Sequence, residues 1–315
     1  MRCIKSLVTN KHNIKLFDEI YTKDIIDLYF NDFGIDVSHY FENLQKIQLY
    51  ECLDTGYKFY FPFHLIGEET FYDSLKEQMP IKYNSSYYAE DKWEYNVSST
   101  YIQELDEVYE IGAGTGMFLK KLKNAGINNV SGSELNNNSI KTALTQDVLL
   151  ENKTIENKAA EKGPLYDVVC SFQVLEHIAD VNSFITSCLK ILKHEGKLII
   201  SVPYNEPYMF ANDRLNTLNL PPHHMGLWNE LAFKNLCKFF PISVVNIIIE
   251  ELPSTGYNFE RYYQVNKDIL YPQKKPFKKL FDLIYLKYLK KFHYKFKGKN
   301  IVVIFEKNSL PIPSN

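Results

Sequence analysis

Cysteine is scarce in this chain, and what there is does not pair. Cys3, Cys52, Cys170, Cys188 and Cys237 are an odd number at scattered spacings, which predicts reduced thiols and no disulfide framework. Long apolar runs are missing too. No stretch approaches the roughly 18 apolar residues of a membrane span, and Met1-Arg-Cys-Ile-Lys-Ser6 does not lead into the apolar core of a secretory signal. The expectation is a soluble, cytoplasmic protein. Net charge is equally small: 36 basic against 38 acidic residues leave −2, so no general attraction to a polyanion exists and nucleic acid is not an expected partner. No internal repeat is visible.

With 315 residues, 45% of them hydrophobic, the chain can bury one sizeable core plus additions. Residues 1 to about 105 carry short aromatic patches, with no long helical period before the stretch Lys92 to Gln103. From Glu107 a regular alternation begins. Strands are expected at Val108–Ile111, Asn129–Ser133, Val148–Leu150, Tyr166–Ser171 and Gly196–Val202, with helices at Thr115–Asn124, Asn137–Gln146 and Val181–Leu192 between them. Such alternation predicts right-handed βαβ units and a parallel sheet covered on both faces. A Pro- and Asn-rich loop from Pro203 to Gly226 is longer than a compact domain usually tolerates and is expected to cover a site. After it a helix (Trp228–Phe240), a strand (Ile242–Glu250), a lysine-rich helix and a last strand (Asn300–Glu306) suggest a sheet closed by an antiparallel pair around a helical insert.

The most informative stretch is Val108-Tyr-Glu-Ile-Gly-Ala-Gly-Thr-Gly-Met-Phe-Leu119, an apolar strand running into three alternating glycines and then a helical pattern. Gly112, Gly114 and Gly116 permit a tight turn and close approach of a ligand, and the helix start is expected to offer free N–H groups to it. A dinucleotide loop needs G-x-G-x-x-G, but Met117 holds the place of its third glycine. Glu110 at the strand end would repel a pyrophosphate and accept an amino group. Glu134, at the end of the second strand, suits a ribose diol. The pattern E-x-G-x-G-x-G resembles motif I of the class I S-adenosylmethionine (SAM) methyltransferases.

Two further segments carry that resemblance. Tyr166-Asp-Val-Val-Cys-Ser-Phe-Gln-Val-Leu-Glu-His-Ile-Ala-Asp180 is similar to the fourth-strand motif of small-molecule methyltransferases, including the ubiquinone-biosynthesis type. Leu189-Lys-Ile-Leu-Lys-His-Glu-Gly-Lys-Leu-Ile-Ile-Ser-Val-Pro203 resembles their L-K-P-G-G-x-L segment, with His194-Glu195 in place of Pro-Gly. The resemblance implies SAM as cofactor, contacts to it from Phe172 and Gln173, and Glu176 and His177 facing the transfer cleft. Histidine titrates in the right range for a general base, so His177 is the first candidate, with capping of the following helix as its alternative role. His223 and His224, in Leu220-Pro-Pro-His-His-Met-Gly-Leu-Trp228, fall where the resemblance places part of the acceptor pocket. Either could be the base, or one could cap the helix near Trp228. Some relatives carry an extra acid ahead of the Glu-His pair and bind a divalent metal; Gln173 stands there instead. Adjacent histidines also lack the i, i+4 spacing of a helical zinc pair.

The N-terminal segment looks like a zinc ribbon that has lost its metal, since Cys3 and Cys52 keep only the first cysteine of each C-x-x-C pair. No metal is expected anywhere in the chain. Tyr57, Phe59, Phe61, Phe63, Phe71 and Tyr72 are expected as core, while Tyr87, Tyr88 and Trp93 could close over the site. Between Lys274 and Lys299 ten lysines face the single acid Asp282, around an apolar stripe of Leu280, Phe281, Ile284, Tyr285, Tyr288 and Leu289. That helix should pack on its host domain, the alternative being an anionic membrane surface. The expected architecture is therefore α/β: a Rossmann-like doubly wound sheet (residues 90–315) with an N-terminal cap (1–89) and a helical insert at about 270–299. The expected function is methylation of a small-molecule acceptor, first a sugar or glycan-pathway intermediate. The alternatives are a quinone or lipid-like phenol acceptor and a non-catalytic SAM-binding partner protein.

Overall fold

Continuous runs of β-branched residues at β-strand length are buried on both faces when the strands are parallel, and that is how the centre of this molecule is built. The computed structural model describes residues 4–83, 91–161, 163–206, 213–273 and 275–309. Expectations for Cys3, Tyr87, Tyr88, Lys274 and the boundary at 89 and 90 fall outside these residues. The main sheet follows an N-terminal region of β1 (Ile14–Tyr21), α1 (Thr22–Phe33), β2 (Lys46–Cys52), β3 (Lys58–Phe61), α2 (Glu69–Tyr83) and α3 (Trp93–Ser99). It comprises β4 (Val108–Ile111), α4 (Met117–Asn124), β5 (Val130–Ser133), α5 (Asn137–Leu144), β6 (Leu150–Glu151), α6 (Ile155–Ala159), β7 (Tyr166–Phe172), α7 (Val181–Ile191) and β8 (Leu192–Pro203). Then come β9 (Gly226–Leu227), α8 (Glu230–Leu236), β10 (Ile242–Glu251), α9 (Tyr257–Leu270), α10 (Lys278–Phe292) and β11 (Lys297–Lys307).

Seven strands pair in the order β10-β11-β8-β7-β4-β5-β6. β4 to β8 run parallel, and β11 lies antiparallel to both of its neighbours. Period-two alternation sorts the side chains onto two faces. Tyr109, Val169, Leu198, Ile200, Val303 and Phe305 join α7 and α8 residues such as Phe184 and Phe233 in one core. Val108, Val168, Cys170, Ile199, Val302 and Ile304 join Phe118, Leu119 and Leu122 of α4 in the other. Helices thus cover both faces, as a doubly wound sheet requires.

The N-terminal region is richer than its sequence suggested. β1, β2 and β3 form an antiparallel sheet whose fourth strand, β9, comes from beyond the long loop. The helix α1 escaped the helical-period reading: its fully buried apolar residues Ile25, Tyr29 and Phe33 recur at steps of four, Ile26 and Leu28 pack partly buried beside them, and Phe30 is left 62% exposed. Among the described side chains of α2 only Phe71 and Leu75 are buried, again four apart. The insert holds two helices rather than one, because α9 and α10 both lie between β10 and β11. Its lysine-rich helix packs only in part. Tyr285 and Leu289 are buried, whereas Leu280, Leu283, Ile284 and Tyr288 remain roughly half exposed. No helix among the described residues is long and apolar enough to cross a membrane.

The helix expected from Trp228 begins at Glu230, capped by the Asn229 side chain, which accepts from Ala232 N at 2.8 Å. Trp228 instead bridges to Tyr204 beside β9. At β9 a Cβ on Gly226 would lie 2.0 Å from Tyr57 Oη, and that hydroxyl is buried without a hydrogen-bond partner. Gly226→Ala should therefore destabilise by about 1–3 kcal/mol through overpacking, measured by urea unfolding. Tyr57→Phe, which removes the orphan hydroxyl, should be neutral or stabilising and should reduce the penalty of Gly226→Ala. Equal penalties in both backgrounds would show that the hydroxyl is not the obstacle.

Candidate active site

The carboxyl ends of β4, β5 and β7 open onto a cavity of about 730 Å³, the place where open parallel sheets take ligands. Gly112 and Gly114 line it with φ of +67° and +55°, the left-handed region that side chains adopt at a penalty. A Cβ on Gly112 would also meet Val174 Cγ2 at 2.5 Å, so a ligand here touches bare backbone. Three of the loop's N–H groups are used internally. Ala113 N donates to Ser133 O at 2.9 Å, Gly116 N to Ala113 O at 2.9 Å and Gly114 N to Glu134 Oε2 at 2.8 Å. α4 starts at Met117 because Gly116, at φ +77°, occupies its N-cap. Gly116 is absent from the cavity wall. A Cβ there would meet Val148 Cγ1 at 2.8 Å, so this glycine serves packing beneath the loop.

Glu134 lines the cavity, and its carboxylate holds the neighbouring turn: Oε1 accepts from Leu135 N and Asn136 N, each at 2.9 Å. Oε2 takes only the Gly114 bond among the described contacts, which leaves acceptor capacity for a ribose hydroxyl. Glu110 departs from expectation. It is 1% exposed, lies outside the cavity wall and keeps one carboxylate oxygen without a partner. Burial raises its carboxyl well above the usual range. Its carboxyl still feels Lys92 and Glu134, both residues of the cavity wall. Phe172 gives the cavity an apolar wall, held edge-on by Phe118 at 4.7 Å and Tyr95 at 5.2 Å between ring centroids. Gln173 follows in a left-handed conformation, φ +57°, with Nε2 3.4 Å from Ser201 Oγ and 3.5 Å from Asn300 Oδ1. The bare glycine backbone, the spare acceptor on Glu134 and the aromatic wall fit SAM.

Three histidines gather at the other end. His177 Nδ1 lies 2.5 Å from the His223 carbonyl, His223 Nδ1 2.8 Å from the Leu218 carbonyl, and His224 Nδ1 3.2 Å from Asn219 Oδ1. A carbonyl can only accept, so each Nδ1 carries the proton. Asn219 is oriented for this because its Nδ2 donates to Asn205 Oδ1 at 2.6 Å. Ring centroids lie 4.3 to 5.0 Å apart. Burial holds His177 down at about 4 and puts His223 and His224 well below the ordinary histidine range. Beside them Glu176, 1% exposed, is pushed up to about 8 by burial. Neither helix-capping role holds. Asp180 caps α7, accepting from Ser183 N at 2.9 Å, and Asn229 caps α8.

Tyr72, expected as core, lines the cavity with its hydroxyl 3.2 Å from His177 Nδ1. Phe61 and Phe63 are half-buried, and Trp93 is outside the wall that its neighbours Lys92, Glu94 and Tyr95 help to form. Asn136, Lys299 and Asn300 also line the cavity and were not singled out from the sequence. Asn136 was within reach as an N-cap, three residues before Ser139, whose N–H it accepts at 2.9 Å. Lys299 and Asn300 carried no local signal, because only pairing of β11 with β8 brings them to the site.

A family profile described as a methyltransferase domain matches residues 84–242. A ubiquinone biosynthesis O-methyltransferase of Bartonella quintana is 31% identical over 99 residues, covering 30% of this chain and 40% of that protein. Its counterpart in Proteus mirabilis is 30% identical over 113 residues, 32% of this chain and 46% of the relative. The chain thus matches less than half the length of these relatives. A solved SAM-dependent methyltransferase from Archaeoglobus fulgidus shares the fold with a TM-score of 0.50 at 16% identity, over 73% of this chain and 98% of that one. With the methyltransferase-domain profile matching half of the chain, and the cofactor loop and sheet order in agreement, the chain belongs to the class I SAM-dependent methyltransferases.

Proposed function

We propose that the protein transfers the methyl group of SAM to a hydroxyl oxygen of a small, largely apolar acceptor. The single observation that carries this is one cavity with the glycine loop at one end and the Glu176–histidine cluster at the other. When bound, SAM supplies an electrophilic methyl on a cationic sulfur; the protein's part is to align the acceptor and receive its proton. Glu176 is the better proton acceptor by acidity, because a base held near 8 matches neutral pH while His177 at about 4 is too weak. His177 and His224 then orient the acceptor. Ile66, Met79 and Leu218 in the cavity wall favour a phenolic or lipid-like acceptor over a sugar, the first expectation from sequence. The cap, residues 1–89, contributes Tyr72, Lys76 and Met79 to this wall.

A lipid-like acceptor also agrees with the half-exposed Leu280, Ile284 and Tyr288 on the lysine-rich α10, a pattern that suits an anionic lipid surface.

Glu134→Ala should weaken SAM binding about 10- to 100-fold, the range of a hydrogen bond to a charged group. Unchanged affinity by calorimetry rejects the ribose contact. The rate below pH 8 should rise about tenfold per pH unit, because the reactive Glu176 is the deprotonated form, then level off above about 8. Glu176→Gln should abolish that rise, and a profile bending near 4 would return the role to His177. Vesicles rich in phosphatidylserine should retain the protein in sedimentation at low salt, and a Lys287→Glu/Lys290→Glu/Lys291→Glu variant should stay in the supernatant. Equal sedimentation of both would remove α10 from the acceptor argument.

A further inference from the structure

The three histidines are arranged in a way that general-base chemistry does not require. Adjacency of His223 and His224 argued against metal ligation only while the local sequence was considered; the third member, His177, arrives from the β7 end, 46 residues away. One ring nitrogen from each of the three lies within 4.8 Å of the other two. All three Nδ1–H groups are engaged by oxygen acceptors, the pattern by which proteins orient metal-ligating imidazoles. Every Nε2 therefore keeps its lone pair, and no hydrogen-bond donor meets any of them among the described contacts. Glu176 Oε1 is 3.8 Å from His177 Nε2 and 4.0 Å from His224 Nε2, while Glu176 Oε2 is buried without a partner. Four acceptors thus converge in a buried place, with the Lys299 ammonium in the same cavity wall as the charged neighbour that His223, His224 and Glu176 feel, an arrangement that a cation held directly among the ring nitrogens would stabilise.

We propose that His177, His223 and His224 bind a divalent transition-metal ion of the zinc class through their Nε2 atoms. Imidazole ligands select zinc, iron, cobalt or nickel over magnesium and calcium, which prefer oxygen. Metal–nitrogen bonds of about 2.0–2.1 Å need the three nitrogens to close in modestly from their present spacing, which side-chain rotation supplies. Three protein ligands leave a coordination position open toward the cavity, as in reactive sites and unlike closed structural ones. Glu176 stands just outside the coordination sphere, where it can take a proton from whatever oxygen occupies the open position and where the ion's charge would stabilise its carboxylate, so the bend near 8 belongs to the metal-free protein and a loaded one bends lower. Gln173 is no part of the set, since its amide is turned to Ser201 and Asn300. Ion binding itself does not depend on methyl transfer; only the use of the open position does.

The test is titration of the metal-stripped full-length protein with Co²⁺ in equilibrium dialysis, read by visible absorption. One ion per chain with d–d bands is expected, displaced by Zn²⁺ and not by millimolar Mg²⁺. His223→Asn and His224→Asn should each weaken uptake by at least about tenfold, while His194→Gln on the exposed surface leaves it unchanged. Should a variant fail to fold, proton NMR of the Co²⁺-loaded wild type decides, because three exchangeable imidazole Nδ1–H signals should be shifted out of the diamagnetic range. No uptake by the wild type, or uptake without shifted imidazole signals, overturns the site. SAM affinity, measured on the same metal-free sample, reports separately on the methyltransferase function.

Discussion

The backbone of one residue, Met225, ties the N-terminal sheet to the segment after β7. Met225 N donates to the Glu176 carbonyl at 2.8 Å, and the Met225 carbonyl accepts from Tyr60 N at 2.9 Å. Through these two bonds the N-terminal sheet, the long loop and the segment after β7 are fixed in one register. Buried backbone groups must find partners, so the loop cannot shift without breaking both. Tyr29 adds a third tie, its hydroxyl donating to the Leu220 carbonyl at 2.8 Å, and Gly67 N reaches the Pro222 carbonyl at 2.9 Å. Everything at the acceptor end, from the Nδ1 protons of the histidines to the burial of Glu176, depends on that register.

The two ends of the cavity are built on different principles. At the cofactor end, glycines and a bonded carboxylate create space by leaving side chains out. At the acceptor end, space is walled by side chains brought from far apart, and the polar groups among them are desolvated enough to reverse their usual protonation. A carboxyl held near 8 beside an imidazole near 4 inverts the order in which these groups titrate in water. Burial is the largest cause of the inversion, so access of water to the site is itself a control on its chemistry.

Legibility from sequence followed the range of the interactions. The strands Val108–Ile111 and Val130–Ser133 and the helix Val181–Ile191 were visible within a residue or two, because burial imprints a period on consecutive residues. The glycine loop was legible from its spacing, although the burial of Glu110 outside the cavity wall and the internal use of three of the loop's N–H groups were not. The histidine trio was out of reach: neither capping role nor base role could be chosen without knowing that the His223 carbonyl meets the His177 ring. Helices α1 and α2 were missed because their fully buried residues recur only at steps of four, amid exposed apolar residues such as Phe30 and Ile81.

The short strand β9 has a consequence for how the protein is made. The sheet of β1, β2 and β3 cannot acquire its fourth strand until Gly226 and Leu227 have left the ribosome. Until then β3 presents an open edge, so the β1–β3 sheet waits on a strand from about 165 residues further along the chain. Its completion waits on the chain that also delivers His223 and His224, which makes the maturation of the N-terminal sheet and the assembly of the acceptor end a single event.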